Sequence, residues 1–168
     1  MTKRTLDKAQ RELDHGNVWR AKEILQGAIR SESYDVQLYE MMGTVLLRMG
    51  DLPEAGRFLF LSGVRRDDYL EAIEIFLSRH RRKAPHEFIH VLPRKARLRT
   101  VSEYPHEVAQ VLREIGVPEI VKDEDGRVYR QENWKDKVSW LIGGTIFFGI
   151  IGLIILGAIK LLEIIRWN

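Results

Sequence analysis

Residues 9–28 read AQRELDHGNVWRAKEILQGA, and residues 43–62 read GTVLLRMGDLPEAGRFLFLS. Ala9, Leu13, Gly16, Val18, Ala21, Leu25 and Ala28 recur thirty-four residues later as Gly43, Leu47, Gly50, Leu52, Ala55, Leu59 and Ser62. Small side chains fall on small ones and aliphatic on aliphatic. Asn17 and Asp51, each just after a glycine, match as well. Leu6, Ala9 and Leu13 lie at i, i+3, i+7, the spacing of one helix face. Gly16 ends that helix with a left-handed cap. Val18, Ala21, Leu25, Ala28 and Ile29 then line a second helix. Small residues at 9 and 43, and at 21 and 55, let the two helices of each hairpin approach closely. Pro53 falls near the start of its helix, where the missing N–H is harmless. Asp67-Asp68 read as an N-cap, followed by a helix over 69–79 that turns Ile73, Phe76 and Leu77 inward.

The signature Ala9, Gly16, Ala21, Leu25, then Gly43, Gly50, Ala55, Leu59, resembles the tetratricopeptide repeat in period and pattern. Residues 3–80 therefore resemble two such hairpins plus a capping helix, which stacked repeats need over their last exposed face. The first hairpin departs from the pattern, with Thr5 where a large aromatic is expected; the second has Tyr39. The fragment RMGDLPEAGRFLFL (48–61) is also similar to a small bacterial family of uncharacterised, tetratricopeptide-like proteins. In that family a short Pro-His helix and a Tyr-Pro helix follow the hairpin, here Pro85-His86 and Tyr104-Pro105. By architecture alone, the arrangement also resembles the mitochondrial fission adaptor. What the repeat resemblance implies is an all-α fold that binds a protein or peptide partner on a concave helical surface; the uncharacterised family carries no known activity and implies a fold and little else.

At the other end, residues 141–159 read LIGGTIFFGIIGLIILGAI, nineteen residues without a charge. As a helix this run is about 28 Å long, against roughly 30 Å of bilayer hydrocarbon. The expectation is a single membrane span from Leu141 to Ile159 within a juxtamembrane and transmembrane segment 134–168. Trp134, Trp140, Lys160 and Trp167 serve as interface anchors. Arg127, Arg130, Lys135 and Lys137 precede the span, while Lys160 and Arg166 follow it. That bias places the N-terminal side in the cytoplasm and a short C-terminal tail outside. The first residues, MTKRTLDKAQRELD, hold no apolar signal-peptide core. Thr145, Gly149 and Gly152 share one face of the span and would admit a second helix, giving a homo- or hetero-oligomer.

Between the two ends lies a basic segment with short helices, 81–118. Residues 79–99 hold eight Lys/Arg against Glu87 alone. Arg81, Arg82, Lys83, Arg94, Lys95, Arg97 and Arg99 form a basic patch suited to anionic lipid headgroups, each cation contributing about 1 kcal/mol beside an anionic leaflet. No aromatic platform or nucleic-acid motif accompanies them, so nucleic acid is not the expected partner. Within the segment, His86-Glu87-Phe88-Ile89-His90 is a formal HExxH. On a helix its two histidines would share a face for zinc, with Glu87 as general base. Pro85 and Pro93 shorten that helix, and Glu107 and Glu114 are the nearest candidates for a third ligand. A small membrane zinc protease is thus the alternative reading; an accessory subunit of a membrane complex is another. His80 and His106 read as surface or partly packed residues.

A helix over 102–115 follows, with Val108, Val111, Leu112 and Ile115 on one stripe, Pro105 in its first turn and Gly116-Val117-Pro118 as its stop. Residues 119–133 read as a linker or a small hairpin around Asp125-Gly126. The 168 residues contain no cysteine and carry a net charge of +3, which rules out disulfides and thiolate metal sites. No cofactor-binding fingerprint is apparent. The main expectation is a membrane-anchored cytoplasmic adaptor, not an enzyme.

Overall fold

The computed structural model describes residues 2–121. Within them the chain forms seven α-helices: α1 (Thr2–Asp14), α2 (Val18–Ser31), α3 (Val36–Arg48), α4 (Leu52–Ser62), α5 (Asp67–His80), α6 (Pro85–Val91) and α7 (His106–Ile115). Two single 3-10 turns, Arg94–Ala96 and Val101–Glu103, connect α6 to α7. The fold is all-α. Among the described residues, pairing of extended backbone is confined to one isolated antiparallel bridge, Thr100 with Ile120.

The turn from α1 to α2 and the turn from α3 to α4 are built alike. Gly16 and Gly50 both sit at φ +77°, the left-handed region that glycine enters without steric cost. The amide of Gly16 donates to the Leu13 carbonyl (3.0 Å) and that of Asn17 to the Glu12 carbonyl (2.8 Å). Thirty-four residues later Gly50 donates to Leu47 (2.9 Å) and Asp51 to Leu46 (3.0 Å). This pair of bonds is the Schellman closure, which satisfies the last carbonyls of a helix. Asp51 also caps α4 by accepting from the Glu54 amide, and Asp35 caps α3 by accepting from Gln37 (2.9 Å) and Leu38 (3.1 Å).

Ala9, Leu13, Ala21, Leu25, Ala55 and Leu59 are all buried. In the second hairpin the helices approach tightly at Gly43, where an added Cβ would stand 2.5 Å from Leu59 Cγ. α5 then packs on α4. Phe60 of α4, Phe76 of α5 and Phe88 of α6 form a ring cluster with centroids 5.6–6.0 Å apart, which ties the short α6 to the hairpins.

Two local expectations are corrected. Asp67 and Asp68 are not the N-cap of α5; Arg66 occupies that position and the two aspartates fill the first turn, where they complement the helix dipole. The helix expected from Ser102 begins at His106 instead. Pro105 disfavours helical backbone at Tyr104, whose ψ is 158°, so the run divides into a 3-10 turn and α7. Tyr104 holds that break in place: its hydroxyl accepts from the Leu98 amide (2.9 Å) and donates to the Ala96 carbonyl (2.6 Å).

Residues 119–121 lie against 99–101, through Val101 N–H to Glu119 O and Val121 N–H to Arg99 O, both 2.9 Å. The remainder of the expected linker or hairpin lies outside the described residues. So do the span 141–159 (Leu141, Gly149, Gly152, Ile159) and its anchors Trp134, Trp140, Lys160 and Trp167. Among the described residues no helix is long and apolar enough to cross a membrane.

Candidate partner-binding surface

α3 touches both α1 and α5, the latter through a small polar set. Tyr69 of α5 donates to Glu40 Oε1 of α3 (3.2 Å), and its hydroxyl lies 3.2 Å from Thr44 Oγ1. Burial, and then the Glu40 carboxylate, raise the Tyr69 phenol above its ordinary range, so it remains a neutral donor. The Arg66 guanidinium covers the ring at 4.9 Å and pairs with Asp68 at 3.1 Å. Glu40 and Thr44, both half-buried, are one helical turn apart on α3, so the buried Tyr69 hydroxyl meets both. Sequence reading missed this set. Thr44 and Glu40 carry no motif, and Tyr69 reaches them only across the helix stack.

The HExxH residues lie on α6, a seven-residue helix with Pro85 at its first position. His86 and Glu87 are exposed and His90 is half-buried, while Phe88 and Ile89 occupy the core face. The Arg97 guanidinium lies 3.4 Å from His90 Nδ1 and donates to the His90 carbonyl at 2.9 Å. Of the two candidate third ligands, Glu114 pairs with Arg81 at 2.6 Å, and Glu107 lies in the first turn of α7. Among the described residues no three His, Asp or Glu side chains are grouped so as to hold a metal ion. His80 is half-buried against the Phe76 ring, and His106 is exposed at the start of α7.

The seven basic-patch residues divide by environment. Arg81, Arg82, Lys83, Arg94 and Arg99 are exposed, whereas Lys95 and Arg97 are half-buried. Arg97 is committed to the fold, donating to the Leu92 (3.1 Å) and His90 carbonyls. Beside α6 an apolar groove of about 370 Å³ runs between Pro85 and Ile89 on one side and Val117, Pro118 and Ile120 on the other.

A family model described as a family of unknown function (DUF6584) matches residues 1–163. The chain belongs to the DUF6584 family. The DUF6584 match takes in both the repeated hairpins and the apolar run 141–159. No curated protein and no solved structure matches the chain.

Proposed function

We propose that this member of DUF6584 is a membrane-anchored adaptor. Its tetratricopeptide-like hairpins bind a protein or peptide partner on the cytoplasmic face, and residues 141–159 hold it in the bilayer. The observation that carries the reading is the recurrence, thirty-four residues apart, of the same glycine-closed hairpin at Gly16 and Gly50. Such stacks use one helix layer as a recognition surface. Here α3 carries the exposed Gln37 and the half-buried Glu40 and Thr44 on one face, with Glu40 and Thr44 held from behind by the buried Tyr69 hydroxyl. The charge-free run supports the anchor, which raises the adaptor's local concentration near membrane-bound partners.

Site-specific photocrosslinking of the full chain in cells tests the surface. A crosslinker at Gln37, exposed on α3, should capture a discrete protein that one at Glu23, exposed on α2, does not. Equal capture from both positions, or none from either, would overturn the reading. Deleting 141–159 should release the protein into the carbonate-soluble fraction. Release of the intact chain by carbonate would remove the anchor from the proposal. Protease added to unbroken cells should leave the helical unit intact if it faces the cytoplasm.

A further inference from the structure

An open groove of about 460 Å³ lies where α2, the start of α4 and the end of α5 converge. Lys22, Asp51, Glu54, Arg57, Arg79 and His80 supply its charged and titratable side chains. None of the four cationic or imidazole residues is part of the basic patch around α6. The two carboxylates are already engaged: Asp51 caps α4 and Glu54 pairs with Arg57. Among the described residues Lys22 and Arg79 have no carboxylate partner; the Lys22 ammonium lies over the Trp19 ring at 5.0 Å.

Two nitrogens of the groove residues are buried with no hydrogen-bond partner in the described structure, Arg57 Nε and His80 Nδ1. Arg57 uses its terminal nitrogens on Glu54 and on the Val91 carbonyl (3.3 Å), which leaves the Nε–H as an unused donor. Buried donors are ordinarily satisfied, and the Arg57 Nε–H is one without an acceptor, while His80 Nδ1 donates or accepts according to its tautomer. The local potential is positive. Burial and then Lys83, Arg79 and Arg57 lower the His80 imidazole below its ordinary value.

We propose that this groove is an oxyanion site that takes a phosphate monoester group. Donors converge on it from three helices, and a tetrahedral dianion offers acceptor oxygens in as many directions. A planar carboxylate would add nothing that Glu54 does not already supply to Arg57. A soluble phosphate ester and a lipid phosphate headgroup share this chemistry.

The His80 imidazole reports occupancy, because a dianion beside it favours the protonated ring. Its titration is followed by NMR on the full chain in phosphatidylcholine bicelles. One arm adds inorganic phosphate at constant ionic strength; the other replaces part of the lipid with phosphatidic acid. The His80 midpoint should move upward by roughly one pH unit, saturably, as an opposite charge within hydrogen-bond reach produces. Response in the first arm identifies a soluble ester; response in the second alone identifies a headgroup. Lys22→Gln, half-buried on α2, and Arg79→Gln, exposed on α5, should each abolish the rise while the fold persists. Absence of a shift in both arms overturns the proposal. So does an equal shift at the exposed His15, or a response that survives Arg79→Gln.

Discussion

Gly56 of α4 meets the backbone of Ala72 in α5: an added Cβ would overlap the Ala72 carbonyl oxygen and stand 2.6 Å from its carbonyl carbon. Phe76 Cβ lies 3.0 Å away on the same side. No side chain separates the two helices at this point, and a helix backbone cannot give way as a leucine tip can.

Gly56→Ala should therefore destabilise the fold. Alanine gains up to about 1 kcal/mol of helix propensity over glycine. Overpacking against a fixed backbone costs about 1–3 kcal/mol and wins. The control is Gly27→Ala in α2, where nothing lies within 4 Å of the new methyl group. That variant should gain roughly 0.5–1 kcal/mol. Thermal unfolding followed by circular dichroism compares the two; a stabilised Gly56→Ala would contradict the close approach.

Gly63→Ala should be worse than a simple cap replacement. Gly63 closes α4 at φ +74°, and an added Cβ would press on the Pro105 ring, 3.0 Å from its Cγ. A left-handed alanine alone costs about 1–2 kcal/mol. The clash adds to it and falls on the junction that leads into α7. Hydrogen exchange should show faster opening at α7 amides in this variant, and unchanged α7 protection would count against the coupling.

The Tyr34 hydroxyl donates to the Leu61 carbonyl near the end of α4. Tyr34→Phe removes that donor from a partly buried carbonyl and should cost about 1–2 kcal/mol. Urea unfolding at neutral pH measures the loss.

Stability should fall in alkali. Burial, and then the Tyr104 hydroxyl, push the phenols of Tyr34 and Tyr39 far above the ordinary tyrosine range. An acid whose folded value is raised contributes fully below its unfolded value, about 10, and loses that contribution as the pH rises beyond it. Each tyrosine then removes about 1.4 kcal/mol per pH unit above 10. Urea midpoints at pH 8, 10 and 11 test this: flat to about 10, then falling. Tyr34→Phe should make the slope shallower, since one of the raised phenols is gone while Tyr39 and Tyr69 remain.

Tyr104→Phe should loosen the segment before α7. The hydroxyl ties Leu98 N–H and Ala96 O together, and its loss leaves both without that bond, for about 1–3 kcal/mol. Limited proteolysis should then cut first within 94–104, where the unaltered chain resists.

The hairpin turns were legible because their causes are local. Glycine after an apolar helix, then a polar residue, then an apolar run, specifies a left-handed cap and a reversal within a few residues at both 16 and 50. The start of α7 was legible only in part. Pro105 was visible, but the hold that Tyr104 exerts on Leu98 and Ala96 was not. HExxH was legible as a spacing on one helix, yet spacing says nothing about which carboxylate stands opposite; Glu114 turned out to face Arg81.

The thirty-four-residue period determined by itself that paired helices stack and where each one turns, since side-chain size and glycine placement act along the chain. It did not determine which positions of the stack touch. Gly56 occupies the register of Lys22, and one meets a helix backbone while the other borders an open groove. Only the tertiary structure brought Lys22, Arg57, Arg79 and His80 around one space, and Tyr69 onto Glu40 and Thr44. These meetings depend on distances between helices far apart in sequence, and no residue's immediate neighbours in the chain encode them.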